Sequence, residues 1–129
     1  MLKVKDRMAQ RLNTIPEGSS SLDAAKYLAE RRFSSIFIAR GEQVVGMITD
    51  TDLVRKIMAA GKDAAKTKVE EIMTTTLFSI DLNAALTEAN DMMDKHRLRH
   101  LAVTENGKII SVISIRDLIH PAYTDGEGW

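Results

Sequence analysis

The sequence predicts a mixed α/β (α+β) fold of two tandem β-α-β-β-α units, packed sheet to sheet with pseudo-two-fold symmetry. Three observations carry that expectation. The eight residues from Gly46 to Leu53, Gly-Met-Ile-Thr-Asp-Thr-Asp-Leu, return 65 positions later as Ser111 to Leu118. With that offset held and no gap, Val4 falls on Val69, Met8 on Met73, Leu12 on Leu77, Ile15 on Ile80, Ala24 on Ala89 and Arg32 on Arg97, as in a duplicated structural unit. Within each copy, short apolar runs bounded by turn residues alternate with stretches of helical periodicity. A unit this small cannot bury both faces of its sheet alone, so two sheets face to face with helices outside is the expected solution. The division is residues 1–64 and 65–122, joined near the polar stretch Gly61 to Lys68, with 123–129 as a loose tail.

In the first copy, Thr14-Ile15-Pro16 is extended, because a residue before proline is kept out of the helical region. Glu17 to Ser20 turns the chain, and Ser20, with Asp23 three residues on, caps a helix reaching about Arg32. Ala24, Tyr27, Leu28 and Arg31 share one face of it. Ile36-Phe37-Ile38 and Val44 to Ile48 form strands around a turn at Arg40 to Gln43. A helix from about Thr51 to Ala60, stopped by Gly61, closes the unit. The second copy repeats this order: Leu77 to Ile80 extended, a helix from about Leu86 to Arg97, strands Leu101 to Thr104 and Lys108 to Ile113 around Asn106-Gly107, a strong hairpin signal, and a last helix stopped by Pro121. Ala85 stands where Ser20 caps the first copy, so this helix starts less sharply or draws its cap from Asn83.

Composition narrows the function classes. With 129 residues, 44% of them hydrophobic, the chain can bury one core or two small halves and has no room for a separate catalytic domain. Eighteen basic and 18 acidic residues cancel, which removes the electrostatic argument for nucleic acid or a membrane surface. The absence of cysteine excludes disulfides and thiol chemistry, and with no signal peptide and no apolar run of membrane-spanning length, a cytoplasmic protein is expected.

The repeated motif admits two readings. Thr49 with Asp52, and Ser114 with Asp117, match the hydroxyl and acid spacing of a capping box, which satisfies free N–H groups at a helix start. The same N–H groups attract phosphate, and a carboxylate can hold a ribose diol. Two such elements under a two-fold arrangement could face one groove.

These residues, together with the stretch from His96 to Val103, resemble the cystathionine-β-synthase (CBS) domain pair, or Bateman module, over about Val4 to Ile119. The resemblance implies a regulatory binding module rather than an enzyme. It implies a cleft between the copies for an adenosine ligand: AMP, ADP, ATP or S-adenosylmethionine. Carried over by position, Asp52 and Asp117 would hold ribose, Thr49 and Ser114 would approach phosphate, and Thr14, Ile15, Ser79 and Ile80 would lie beside the base. Arg99 and His100, the basic residues before the second strand, and Arg116 would meet phosphates. No cofactor is required, a homodimer is implied, and the regulated protein lies on another chain.

The departures predict inequality between the copies. Ser34 and Ser35 stand where Arg99 and His100 do and bring no charge to a phosphate. Ser111 replaces Gly46, adding a side chain where close backbone approach would need none, so one nucleotide per chain is expected. His96 and His100 are four apart, but cations lie between them and the helix ends there, which disfavours a metal. Arg31 and Arg32 read as a solvated pair, the methionines as core, and His120 as a helix-end residue. Two further functions stay open: a ligand-free scaffold whose motifs only cap helices, and a small nucleotide-processing enzyme for which no general base can be named.

Overall fold

Three-residue strands tie each sheet to its unit. The computed structural model describes residues 1–119; the helix end at His120 and Pro121 and the tail from Tyr123 lie outside them. Strands β1 (Thr14–Pro16), β2 (Ser35–Arg40) and β3 (Gln43–Thr49) form one sheet in that order, β1 parallel to β2 and β2 antiparallel to β3. Strands β4 (Ser79–Asp81), β5 (His100–Glu105) and β6 (Lys108–Ser114) repeat the arrangement. Helices α1 (Ser21–Arg31) and α3 (Leu86–His96) join the first two strands of each sheet. Helices α2 (Asp50–Leu53) and α4 (Ile115–Ile119) follow the third. A π turn over Val54–Met58 extends α2, with Ala59 N–H donating to the Val54 carbonyl at 2.8 Å.

The repeat persists in detail. Ile38 faces Gly46 while Ala39 faces Val44, so Val45 is an extra residue in β3; Ile110 is the extra residue in β6. Arg32 and Arg97 end α1 and α3 in the left-handed region, at φ 57° and 54°. The hairpins differ in turn type. Asn106 and Gly107 both have positive φ, as a type I′ turn requires, whereas in the first hairpin only Gly41 does.

Ser20 caps α1 as expected, its hydroxyl accepting from Asp23 N–H at 3.0 Å. At α3 no side chain takes that role. Asn83 is not the substitute: its own N–H donates to Asp81 Oδ1 at 2.8 Å. A main-chain partner serves instead, the Leu86 N–H donating to the Leu2 carbonyl at 3.0 Å.

That last bond shows how the chain is shared out. One compact unit is Asn13–Thr76 within the described residues, and the other combines Met1–Leu12 with the chain from Leu77 on. Repeat and compact unit are therefore different stretches of chain, each taking the other repeat's lead-in. Val4 N–H donates to the Ala84 carbonyl (2.9 Å) and Ala9 N–H to the Val112 carbonyl (3.0 Å). Correspondingly, Val69 N–H donates to the Ser19 carbonyl (2.9 Å), and Thr74 and Met47 exchange main-chain bonds of 2.8 and 2.9 Å. Each lead-in carries a short 3-10 turn whose first residue, Val4 or Val69, is fully buried in the core it joins. Such a side chain contributes roughly 1.5–3 kcal/mol. Val4 packs with Ile80, Ala89, Met93, Leu101, Val103 and Ile113, so Met93 is core as expected; Val69 packs with the equivalent set around Ile15, Ala24, Leu28 and Ile48.

Candidate functional site

The second-copy motif is assembled where β6 runs into α4. Ser114 N–H donates to Asp117 Oδ2 at 2.8 Å, and the Ser114 hydroxyl donates to the same oxygen at 3.1 Å. His100 pairs with Ser114 across the β5–β6 ladder, and the Arg99 carbonyl accepts from Ile115 N–H at 2.8 Å. The compact unit thus gathers Arg99, His100, Ser114, Arg116 and Asp117 around one strand end. Ser79 lies at the exposed start of β4, next to β5. Burial pushes the Asp117 carboxyl above its usual range, against the lowering pull of the Ser114 bonds and of the Arg116 and Arg7 charges. Oδ1 of Asp117 accepts no hydrogen bond from the described residues.

The first-copy motif has the same start and a different finish. Thr49 N–H donates to Asp52 Oδ2 at 3.0 Å and Asp52 N–H donates to the Thr49 hydroxyl at 3.2 Å, a complete capping box. Two further groups then close on the carboxylate. The Thr74 hydroxyl stands 3.4 Å from both oxygens, and Lys56 Nζ forms an ion pair with Oδ1 at 3.0 Å while also donating to the Ile72 carbonyl at 2.9 Å. Asp52 is 8% exposed. By the repeat offset Lys56 and Thr74 correspond in sequence to Pro121 and Ala9, neither with a polar hydrogen on its side chain.

Other expected residues fall differently. Ile15 and Ile80 are buried in the two cores. Thr14, at the start of β1, is exposed. Gly46 owes its lack of a side chain to packing, since a Cβ there would stand 2.5 Å from Met73 Sδ. Ser111, its counterpart, turns its hydroxyl inward to donate to the Ala9 carbonyl at 2.5 Å, with 1% of the residue exposed. At both positions the space beside the strand is taken by the lead-in segment, through Met73 at Gly46 and Ala9 at Ser111. Arg31 is exposed, as expected, and also covers the Tyr27 ring at 3.7 Å, while His96 stacks on Phe78 at 4.5 Å. Among the described residues no group of three His, Cys, Asp or Glu side chains could hold a metal ion.

Sequence reasoning missed Lys56, Thr74 and Arg7. Lys56 was readable as the i+4 partner of Asp52. Thr74 and Arg7 reach their motifs only through the exchanged lead-ins.

Comparison with known proteins agrees with this architecture. The family model described as CBS domain matches the chain twice, over residues 4–59 and 69–121. The chain is similar to the CBS domain-containing protein YhcV of Bacillus subtilis, 28% identical over 118 residues that cover 92% of this chain and 84% of that protein. An uncharacterized conserved protein from Pyrococcus horikoshii has a similar structure, with a TM-score of 0.86 at 28% identity, covering 91% of this chain and 89% of that one. A protein with CBS domains from Burkholderia ambifaria MC40-6, whose description proposes signal transduction, gives 0.81 at 32% identity, covering 86% and 82%.

Proposed function

The chain belongs to the CBS-domain family, and from that premise we propose that it is a regulatory module that binds an adenosine nucleotide (AMP, ADP or ATP) and signals to a partner protein. The second-copy motif is the working site. What supports this is the state of the two carboxylates: Asp52 is closed by Lys56 and Thr74, whereas Asp117 has Oδ1 open among the described residues and basic residues beside it. A carboxylate oxygen held ready but unfilled suits a ribose hydroxyl donor, and Arg99, His100 and Arg116 suit phosphate. Thr49 and Asp52 then act as a helix cap, the structural reading of the same motif. Binding is regulatory only if the ligand favours one conformation over another.

Isothermal titration calorimetry with AMP, ATP and S-adenosylmethionine tests this on the wild-type chain, Asp117→Ala and Asp52→Asn. The expected result is saturable binding near one nucleotide per chain, lost in Asp117→Ala and kept in Asp52→Asn. A folded protein that gives no binding heat with any of the three at millimolar ligand overturns the reading.

Self-association is part of the proposal. Val54 and Met58, four apart at the α2 end, are 60% and 79% exposed, and Ile115 and Ile119, also four apart, are 42% and 72% exposed on α4. Apolar pairs at that spacing line one helix face. A homodimer by light scattering, dissociated by Met58→Glu, is the expected outcome.

A further inference from the structure

Arg7 belongs to the first repeat by sequence and to the second repeat's compact unit by packing. Its main chain is held in place. Arg7 N–H donates to the Val4 carbonyl at 3.0 Å, Val4 is buried in the core of that unit, and two residues later Ala9 N–H donates to the Val112 carbonyl while its own carbonyl accepts from Ser111. The segment therefore runs beside the last residues of β6, which lead directly into Ser114 and Asp117.

The first-copy motif shows how near that position lies to the acid. Ile72 is the counterpart of Arg7, and its carbonyl shares the Lys56 ammonium with the Asp52 carboxylate, at 2.9 and 3.0 Å. One ammonium separates the main chain at that position from the carboxylate. At Asp117 the same position carries a guanidinium, whose charge is felt by the Asp117 carboxyl. Among the described residues no carboxylate lies within ion-pair distance of Arg7. The contrast extends to the whole rim. Arg7, Arg99, His100 and Arg116 correspond to Ile72, Ser34, Ser35 and Thr51, so all the basic chemistry at these four positions is on one copy.

We propose that Arg7 is a phosphate-binding residue of the second-copy site, engaging the phosphate of the ligand whose ribose is held at Asp117. The proposal rests on the adenosine-nucleotide reading and deepens it. A planar fork of N–H donors suits phosphate oxygens and has no use for the nucleoside alone.

The test compares AMP with adenosine by calorimetry on the wild-type chain, Arg7→Ile, which imports the first-copy residue, and Arg7→Gln, with thermal melting to check folding. The expected result is AMP affinity lowered about tenfold or more in both variants, with adenosine affinity within about twofold of wild type, as befits loss of a charge-assisted contact. If one variant does not fold, the other decides by the same criterion. Unchanged AMP affinity overturns the proposal and leaves the nucleotide reading standing. An equal loss for AMP and adenosine overturns it too, since Arg7 would then act only as a counter-charge that positions Asp117. A wild-type chain that binds neither compound fails both readings.

Discussion

Asp52 and Asp117 occupy equivalent positions in one duplicated unit, and their surroundings have taken them to opposite ends of the same chemistry. Asp52 receives the N–H and hydroxyl of Thr49, the hydroxyl of Thr74 and the ammonium of Lys56. Asp117 receives Ser114 twice on one oxygen and is pushed by burial toward its protonated form. A capping box and a ligand site thus begin from the same hydroxyl and acid. What decides between them is whether the surrounding groups use up the carboxylate, and at Asp52 those groups are Lys56 of the same repeat and Thr74 from the lead-in of the other.

The largest effect expected from breaking this contrast is on stability. Asp52→Ala removes the reciprocal cap and leaves Lys56 and Thr74 without their partner, which should cost about 2–4 kcal/mol. Asp117→Ala removes two bonds to Ser114 but also a carboxylate that burial disfavours, and should cost about 1 kcal/mol or less. Urea unfolding of the two variants side by side measures both. Equal losses would mean that the motifs are equally structural. Ligand affinity is expected to rank the same two positions in the reverse order.

Exchanging Gly46 and Ser111 comes next. Gly46→Ser drives a Cβ into the Met73 side chain, and although a thioether can move, the displacement should cost about 1–3 kcal/mol. Ser111→Gly leaves the Ala9 carbonyl without its donor and loosens β6, for about 1–2 kcal/mol. A Gly46→Ser melting temperature equal to wild type would show that Met73 does not need that space.

Much of this was legible in the sequence, and the part that was not has a definite physical cause. The fixed offset made the element order, the Asn106-Gly107 turn and the Ser20 cap readable, because each depends on local chemistry. It could not tell which copy a lead-in packs against. Val4 and Val69 are interchangeable in such an alignment, so packing within a repeat and packing across repeats leave the same pattern. Arg7 and Thr74 were invisible for that reason, and so was the closure of Asp52 by Thr74. The burial of Ile15 and Ile80 follows from local geometry: in a short edge strand the alternation of side chains sends the middle residue to the core, while Thr14 and Ser79 face outward. Ser34 and Ser35 predict unequal copies from the sequence, and to that expectation the structure adds a difference of its own, Lys56 and Thr74 around Asp52.

The smallest expected effect is a pH dependence, and it probes the open carboxylate most directly. Because burial raises the Asp117 pKa in the folded protein above its unfolded value, the folded state holds more protons between those two values. Its contribution to stability is present below the unfolded pKa and is lost as pH rises through the folded pKa. Asp117→Asn keeps an acceptor for Ser114 and has no proton to lose, so its stability relative to wild type should rise from acid pH toward neutrality. Asp52→Asn should be the less stable protein at neutral pH, since it breaks the Lys56 pair. Denaturant midpoints across the carboxylate range measure the Asp117 slope, and the neutral-pH midpoint measures the Asp52→Asn loss. If the Asp117→Asn difference stays flat, the Asp117 carboxylate bears no burial cost. The asymmetry between the motifs would then lie in the groups around the two carboxylates, Lys56 and Thr74 at Asp52 and the basic residues at Asp117.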